Sequence, residues 1–480
     1  MKTEKETFYH ALEFRKDLCM GCSHCMMKCP TQAIRVIDGK AELNPNRCID
    51  CGECFRTCPY GAISVKQDDF EKIYDYKYRI ALMPSVFTAQ FPDKVTYPQI
   101  YKALLSIGFT HVYETENSVD CLVKPYNEYI AKSEEKPVIS SFCPAIVRLI
   151  QVRFPTLVDN IMLIKPPMDT TAMYIKKIFE DQGYDKTQVI HLFKIREEPE
   201  TMEHPIRGDG AHRVAAAKIA GIKSPATEEA SLISGVINMD YLYNRIYKEI
   251  KQKAFDKDND EENFVQMSKQ SLYWSLTTGE VRIVDTPHKM AIDQINNVIE
   301  FLEKVENESI TDIDFLELRA CYQSCAGGVL CAGNKFMTTD RANKRAHRSS
   351  PNSVENVDWE RYADYIASNC LLEGKVEPRS IVKLDDNMVE AMKKMKRINE
   401  INNLLPQVDC GICGSPSCQS LAEDIVQNDA DIRKCIFIQK ILQQNDKLGL
   451  PESINLMKQT WGVGKLDKNL VQEIKDEIDK

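Results

Sequence analysis

The sequence predicts a multidomain α/β chain, with a central alternation of strands and helices set between two small cysteine-built modules. Three observations predict it. Near the N-terminus the pattern C-x2-C-x2-C-x3-C-P occurs twice, 29 residues apart. From residue 78 onward, short apolar runs alternate with segments whose apolar residues recur at helical spacing, the sign of strands and helices taking turns. Near the C-terminus four more cysteines stand x2, x4 and x16 apart. A length of 480 residues allows two to four domains, and 43% hydrophobic content suffices for a sizeable core.

The first module is assigned to residues 1–75. Cys19, Cys22, Cys25 and Cys29 precede Pro30, and Cys48, Cys51, Cys54 and Cys58 precede Pro59. This spacing resembles the bacterial two-cluster ferredoxin, an α+β module in which three close cysteines hold one [4Fe-4S] cluster and the fourth crosses to the other. By that logic Cys58 completes the site of Cys19, Cys22 and Cys25, and Cys29 completes the site of Cys48, Cys51 and Cys54. The segments "AIRVID" and "KAEL" fit a strand pair between the halves. Zinc is the competing occupant, but zinc sites take two short-spaced pairs set well apart. His24, between ligands, reads as a polar surface residue.

The middle region, residues 76–400, opens with "YRIALMPSVFTAQFP", a buried strand, then "YPQIYKALLSIGFTHVYET", a helix, loop and strand. Farther on, Ile295, Val298, Ile299 and Leu302 share a helix face, and a strand follows into "RACYQSCAGGVLC" at 319–331. Polar, turn-rich breaks fall at "REEPETMEHPIRGDGAH" and "FDKDNDEEN". The third module, 401–440, carries Cys410, Cys413, Cys418 and Cys435. Its glycines 411 and 414 allow a tight loop, and "QSLAEDIVQNDADI" reads as a helix whose far end returns Cys435. A helix start near the thiolates favours an anionic cluster. The stretch resembles the four-cysteine Fe-S domain of Rnf-type electron-transport B subunits and corrinoid iron-sulfur proteins. Residues 441–480 read as an amphipathic helical tail that docks on its own protein.

The middle region resembles the catalytic domain of [FeFe] hydrogenase, which implies a two-lobed α/β fold. "SSFCPAIVRLIQVRFP" is similar to that family's first motif, T-S-C-C-P, and "IKPPMDTTA" to the segment that follows it. "ACYQSCAGG" is similar to its A-C-P-G-G-C motif, and the "CAGGVLCAGNKFM" continuation is closest to the sensory-type branch. The resemblance implies that Cys143, Cys321 and Cys325 correspond to three of the four cubane ligands. The fourth should come from M-P-C-x-x-K, yet no cysteine lies between Cys143 and Cys321, and the chain there reads "VIHLFKIREE". Phe142 stands where the family keeps the thiol that passes protons, and a phenyl ring has none to transfer. Tyr322, Gln323 and Ser324 replace P-G-G, which fills the pocket of the two-iron unit. Cys331 is the best remaining candidate for a fourth ligand; Cys121 and Cys370 read as small buried hydrophobes.

Composition limits the rest. A net charge of -9 offers no footprint for nucleic acid, and no segment approaches the ~20 apolar residues of a membrane span. Eighteen cysteines in short-spaced groups, with no targeting run at the N-terminus, point to a reducing, cytoplasmic setting and to metal rather than disulfides. The basic run at 340–348 reads as a solvated helix end, or a guide for an acidic partner. No phosphate-binding glycine loop supports an internal nucleotide or flavin. The expected cofactors are [4Fe-4S] clusters, two N-terminal and one C-terminal, with a fourth in the middle domain left open. The expected role is electron relay or redox sensing without hydrogen turnover, the alternative being a divergent sensory-type hydrogenase with altered ligation. The expected partner is a redox protein: a ferredoxin, or a hydrogenase or NADH-dehydrogenase-like subunit.

Overall fold

Short cysteine-bearing helices open the chain because two to three residues between ligands leave room for about one turn. His24–Lys28 and Glu53–Thr57 are those helices, and each ends on an extended cysteine, Cys29 and Cys58. The computed structural model describes residues 10–182, 191–196, 233–253, 267–349, 359–372 and 387–466, with isolated positions at 255, 376–378, 384 and 478. Strands Leu12–Phe14 and Ile63–Val65 pair antiparallel and tie the module's ends together. The expected pair between the halves is present as the hairpin Ile34–Ile37 with Lys40–Leu43. Asp38 and Gly39 form its two-residue turn, both at positive φ, the backbone that matches the twist of the flanking strands.

The middle region holds two parallel sheets, which accounts for two lobes. In the first, the order is His111–Glu114, Arg79–Met83, His191–Arg196, Ile233–Asn238, all parallel. In the second, Phe315–Leu318 lies between Lys289–Ile292 and Val138–Ile139. Strands in such sheets are covered on both faces and read as unbroken apolar runs. Ile80 to Met83 are fully buried in that way, and so are Phe315, Leu316 and Leu318. The segment "VIHLFKIREE" supplies an interior strand of the first sheet. The two polar breaks lie outside the described residues except for Arg196 and Phe255.

The C-terminal part is helical: Met388–Leu404, Cys418–Val426, Ile436–Gln444, Leu450–Trp461 and Val463–Leu466. One expectation needs correction. The helix after Cys418 stops at Val426; Asn428, at φ 65°, reverses the chain, and a separate 3-10 turn, Ile432–Lys434, delivers Cys435. Asn tolerates left-handed backbone and ends helices for that reason. Among the described residues, no helix is long and apolar enough to cross a membrane.

Cores are shared between modules. One joins Met26, Val36 and Cys54 to Ala81, Phe87 and Leu330, and another joins Ile49 and Cys51 to Cys143, Ile146 and Leu318. The N-terminal module is therefore built into the middle region.

Candidate iron-sulfur sites

The two N-terminal groups form by exchange between the repeats. Cys25 has Cys22, Cys19 and Cys58 as its charged neighbours, while Cys29 acts on Cys48, Cys51 and Cys54. Burial, then mutual repulsion, pushes the Cys25 thiol up to about 12. Burial first also raises Cys48, Cys51 and Cys54. Thiols gathered so closely out of water hold negative charge only with a cation among them. Main-chain amides point at the sulfurs: Ala33 N–H to Cys29 at 3.2 Å, Ala62 to Cys58 at 3.3 Å, Ala41 to Cys19 at 3.4 Å, and Asp50 to Cys48 at 3.4 Å. Such N–H···S contacts set the potential of a cluster.

The spacing of donors also speaks to the metal. Four sulfurs bound to zinc at ~2.3 Å would stand about 4 Å apart. Among the described residues, the only three metal-capable side chains with donor atoms all within 4.8 Å are His10, Cys48 and Asp50. The His10 set is occupied by ion pairing instead. His10 Nδ1 and Arg148 Nη1 stand 3.1 and 2.6 Å from Asp50 Oδ2. Burial opposes the Asp50 charge, but the contacts with His10 and Arg148 hold its carboxyl below the ordinary range.

At the C-terminal group, Cys413 has Cys435, Cys410 and Cys418 around it, and burial pushes its thiol up to about 11. All four line one pocket together with Gly411, Ser417 and Leu421. Cys418 opens one helix and Cys435 caps another, so two helix starts meet the site. This module and its tail dock on the N-terminal hairpin. Val36 N–H donates to the Gly414 carbonyl at 2.9 Å, and Asp38 and Gly39 donate to Gln459 and Thr460 at 2.8 and 3.0 Å. Arg35 grips Asp424 with two N–H donors at 2.6 and 3.0 Å, and Arg47 pairs with Glu423.

In the middle region Cys143 and Cys321 follow the C-terminal ends of neighbouring parallel strands, Val138–Ile139 and Phe315–Leu318, where open α/β sheets place ligands. Cys143 caps the helix Pro144–Arg153. Cys325 lies in a 3-10 turn and donates its N–H to Ser275 O at 3.2 Å. Gln323 and Ser324 hold φ 68° and 53°, so the backbone keeps a conformation suited to glycine although side chains have replaced it. A Cβ on Gly327 would stand 1.8 Å from the Tyr322 carbonyl oxygen, which explains that glycine.

Of the three residues that replace P-G-G, Ser324 is 1% exposed while Tyr322 turns outward. Its ring is 37% exposed and packs edge-on against Phe336 at the surface. A buried charge beside these cysteines was missed: Arg319, 2% exposed. Its guanidinium lies 4.0 Å from the Phe142 ring centre, 2.9 Å from Glu280 and 3.3 Å from Glu317, within electrostatic reach of Cys325 and Cys143. Two charged residues in the buried run "FLELR" were the available signal. Glu317 accepts from the amides of Thr278, Glu280 and Val281 at 3.0, 2.9 and 3.0 Å, and burial raises its carboxyl to about 7. Ser140 and Tyr126 donate to Glu280 at 2.6 and 3.2 Å.

Cys331 donates its thiol to the Cys325 carbonyl at 3.3 Å and lies 3.7 Å from Met239 Sδ. Cys121 and Cys370 pack in an apolar core, and burial raises both. The basic run at 340–348 ends the helix Lys335–Arg348 with Lys344, His347 and Arg348 exposed, but two of its arginines are engaged in the fold. Arg345 makes a bidentate pair with buried Glu114 at 2.8 Å and stacks 4.0 Å over Tyr97, and Arg341 pairs with Asp93.

Three family descriptions match this chain. "Iron only hydrogenase large subunit, C-terminal domain" covers residues 77–194, "4Fe-4S dicluster domain" covers 18–62, and "Putative Fe-S cluster" covers 405–437. This is a hydrogenase-like protein with iron-sulfur domains. Among curated proteins, the hydrogenase-like chain is 28% identical over 102 residues to the B component of the ion-translocating oxidoreductase complex of Buchnera aphidicola subsp. Baizongia pistaciae (strain Bp), covering 18% of this chain and 57% of that one. It is 45% identical over 38 residues to the same-named component of Azoarcus sp. (strain BH72), covering 8% and 21%. The chain thus spans little more than half of the first relative and about a fifth of the second. Among solved structures, a variant of apo [FeFe]-hydrogenase HydA1 from Chlamydomonas reinhardtii aligns with a TM-score of 0.43 at 14% identity, covering 64% of this chain and 95% of that one. The HydA(deltaEFG) structure aligns at 0.43 and 13%, covering 65% and 96%.

Proposed function

We propose that this hydrogenase-like protein is an electron relay or redox-sensing subunit carrying at least three [4Fe-4S] clusters and without hydrogen turnover. Cys19, Cys22, Cys25 and Cys58 would hold one cluster, Cys48, Cys51, Cys54 and Cys29 the second, and Cys410, Cys413, Cys418 and Cys435 the third. Bound there, the clusters supply one-electron transfer. The chain contributes buried thiols, amides aimed at sulfur, and shared cores that keep neighbouring sites at fixed separation. A further cluster at Cys143, Cys321 and Cys325 is part of the proposal. The two-iron unit of a hydrogenase does not fit: the guanidinium of Arg319 lies beside those cysteines, and Phe142 offers no proton.

The observation that carries the reading is the buried Arg319 packed on Phe142 at 4.0 Å, where hydrogen chemistry would need an open iron and a titratable group. The partial likeness to components of ion-translocating oxidoreductase complexes favours a redox protein as partner. Protein matured with the two-iron unit is expected to show no hydrogen-deuterium exchange; measurable exchange would establish a hydrogenase. Iron and labile sulfide in anaerobically purified protein should correspond to at least about twelve of each. Loss of about four irons in Cys321→Ser places a cluster in the middle region.

A further inference from the structure

Beside the three middle cysteines, three buried donors have no hydrogen-bond partner among the described residues: Arg319 Nη1, Ser324 Oγ and Trp274 Nε1. They belong to one neighbourhood. Ser324 stands between Cys321 and Cys325 in sequence, 1% exposed and at φ 53°. The fully buried Trp274 packs edge-on against Phe142, the residue before Cys143, at 6.0 Å, and its carbonyl accepts from Arg319 Nη2 at 3.1 Å. The acids nearby do not cover Nη1. Glu317 accepts from three amides, and Glu280 accepts from Ser140 and Tyr126 at Oε1 while its Oε2, 2.9 Å from Nη2, makes no further hydrogen bond among the described residues. Native structures rarely leave such donors unsatisfied, and a buried guanidinium N–H is a natural partner for an anion.

The cysteine count points the same way. The best remaining candidate for a fourth ligand, Cys331, turns its thiol to the Cys325 carbonyl at 3.3 Å and to Met239 Sδ at 3.7 Å. We propose that Cys143, Cys321 and Cys325 hold their cluster by three thiolates only, and that Arg319 and Ser324 line a pocket for a small anion bound at the iron no cysteine reaches. This rests on the reading of a middle cluster given above. The ligand class is a carboxylate or a pseudohalide, small enough for a pocket walled by Phe142 and Trp274.

Cyanide, iron counting and EPR on the full chain test the inference. Cys331→Ser is expected to keep its iron. Ferricyanide should convert the middle cluster of the wild type, [4Fe-4S]2+ giving [3Fe-4S]+, one Fe2+ and one electron taken by the oxidant, with an EPR signal that Cys321→Ser lacks. Cyanide should shift the EPR spectrum of the reduced cluster, and Ser324→Ala or Arg319→Gln should weaken that binding by about tenfold or more at unchanged iron content. Ser324→Ala deletes a single hydroxyl and keeps the test decisive if Arg319→Gln does not fold. Loss of about four irons in Cys331→Ser would make it a ligand and overturn the inference. A middle cluster with neither a three-iron signal nor a cyanide shift would overturn it while leaving the relay intact. No iron loss in Cys321→Ser would remove both the inference and the middle cluster.

Discussion

Gln323 and Ser324 hold left-handed backbone, φ 68° and 53°, between two cysteines of the middle site. For residues with a Cβ this costs roughly 1–2 kcal/mol each, which the turn bears between Cys321 and Cys325. Gln323→Gly is expected to raise the anaerobic thermal midpoint, by the equivalent of about 1 kcal/mol; an unchanged or lower midpoint would show that no strain is stored there. A second residue-scale expectation concerns pH. Glu116 is buried and accepts from Ser85 N–H at 2.9 Å and from the Ser275 hydroxyl. Burial raises its carboxyl from 4.5 to about 7. Unfolded chain therefore releases this proton near pH 4.5 while folded protein keeps it to about 7. Stability contributed by the group is complete below about pH 4.5 and falls as pH rises toward 7, by at most about 1.4 kcal/mol per unit. Glu317, also raised to about 7, adds in the same direction. Melts at pH 5, 6 and 7 should show a smaller decline for Glu116→Gln than for the wild type.

At the scale of elements, the hairpin Ile34–Ile37 with Lys40–Leu43 does two jobs. It sits between the cysteine repeats, and it is the platform for the C-terminal module. Gly414 makes the contact possible: at φ 86°, a Cβ there would stand 2.4 Å from the Val36 carbonyl oxygen. Gly414→Val is expected to cost about 2 kcal/mol or more at this junction and to free the module. Limited proteolysis should then release a C-terminal fragment that the wild type protects. Cleavage at the wild-type rate would argue against docking on this edge. Strand and helix types at 79–114 and 295–318 were legible from period alone, because parallel strands buried on both faces lack polar alternation. The break after Val426 was not, since "QNDADI" continues a helix-compatible pattern and only the return of Cys435 forces the reversal.

On the scale of the whole molecule, the N-terminal module meets the middle region through buried charge. Asp50 and Arg148, 3% and 4% exposed, join the loop of Cys48 and Cys51 to the helix that Cys143 begins. Removing Arg148 leaves the buried Asp50 with His10 but without its guanidinium partner, at a cost of up to about 3–5 kcal/mol. Arg148→Leu should therefore lower the thermal midpoint clearly. In stopped-flow reduction it should also slow electron arrival at the middle site, while the iron count of the N-terminal module is kept. Equal rates in both proteins would separate this contact from electron flow.

By itself the sequence determined how the cysteines are grouped along the chain, since their spacing is a local property that a few residues encode. It determined the absence of a cysteine between Cys143 and Cys321 and of a titratable group at Phe142, because composition cannot be restored by folding. Tertiary structure alone decided where Tyr322 points, that Arg319 is buried against Phe142 between two carboxylates, and that the C-terminal module sits on the N-terminal hairpin. These depend on contacts between residues tens to hundreds of positions apart, whose energies come from burial and from charge pairing out of water. Neither can be read from any single stretch of chain.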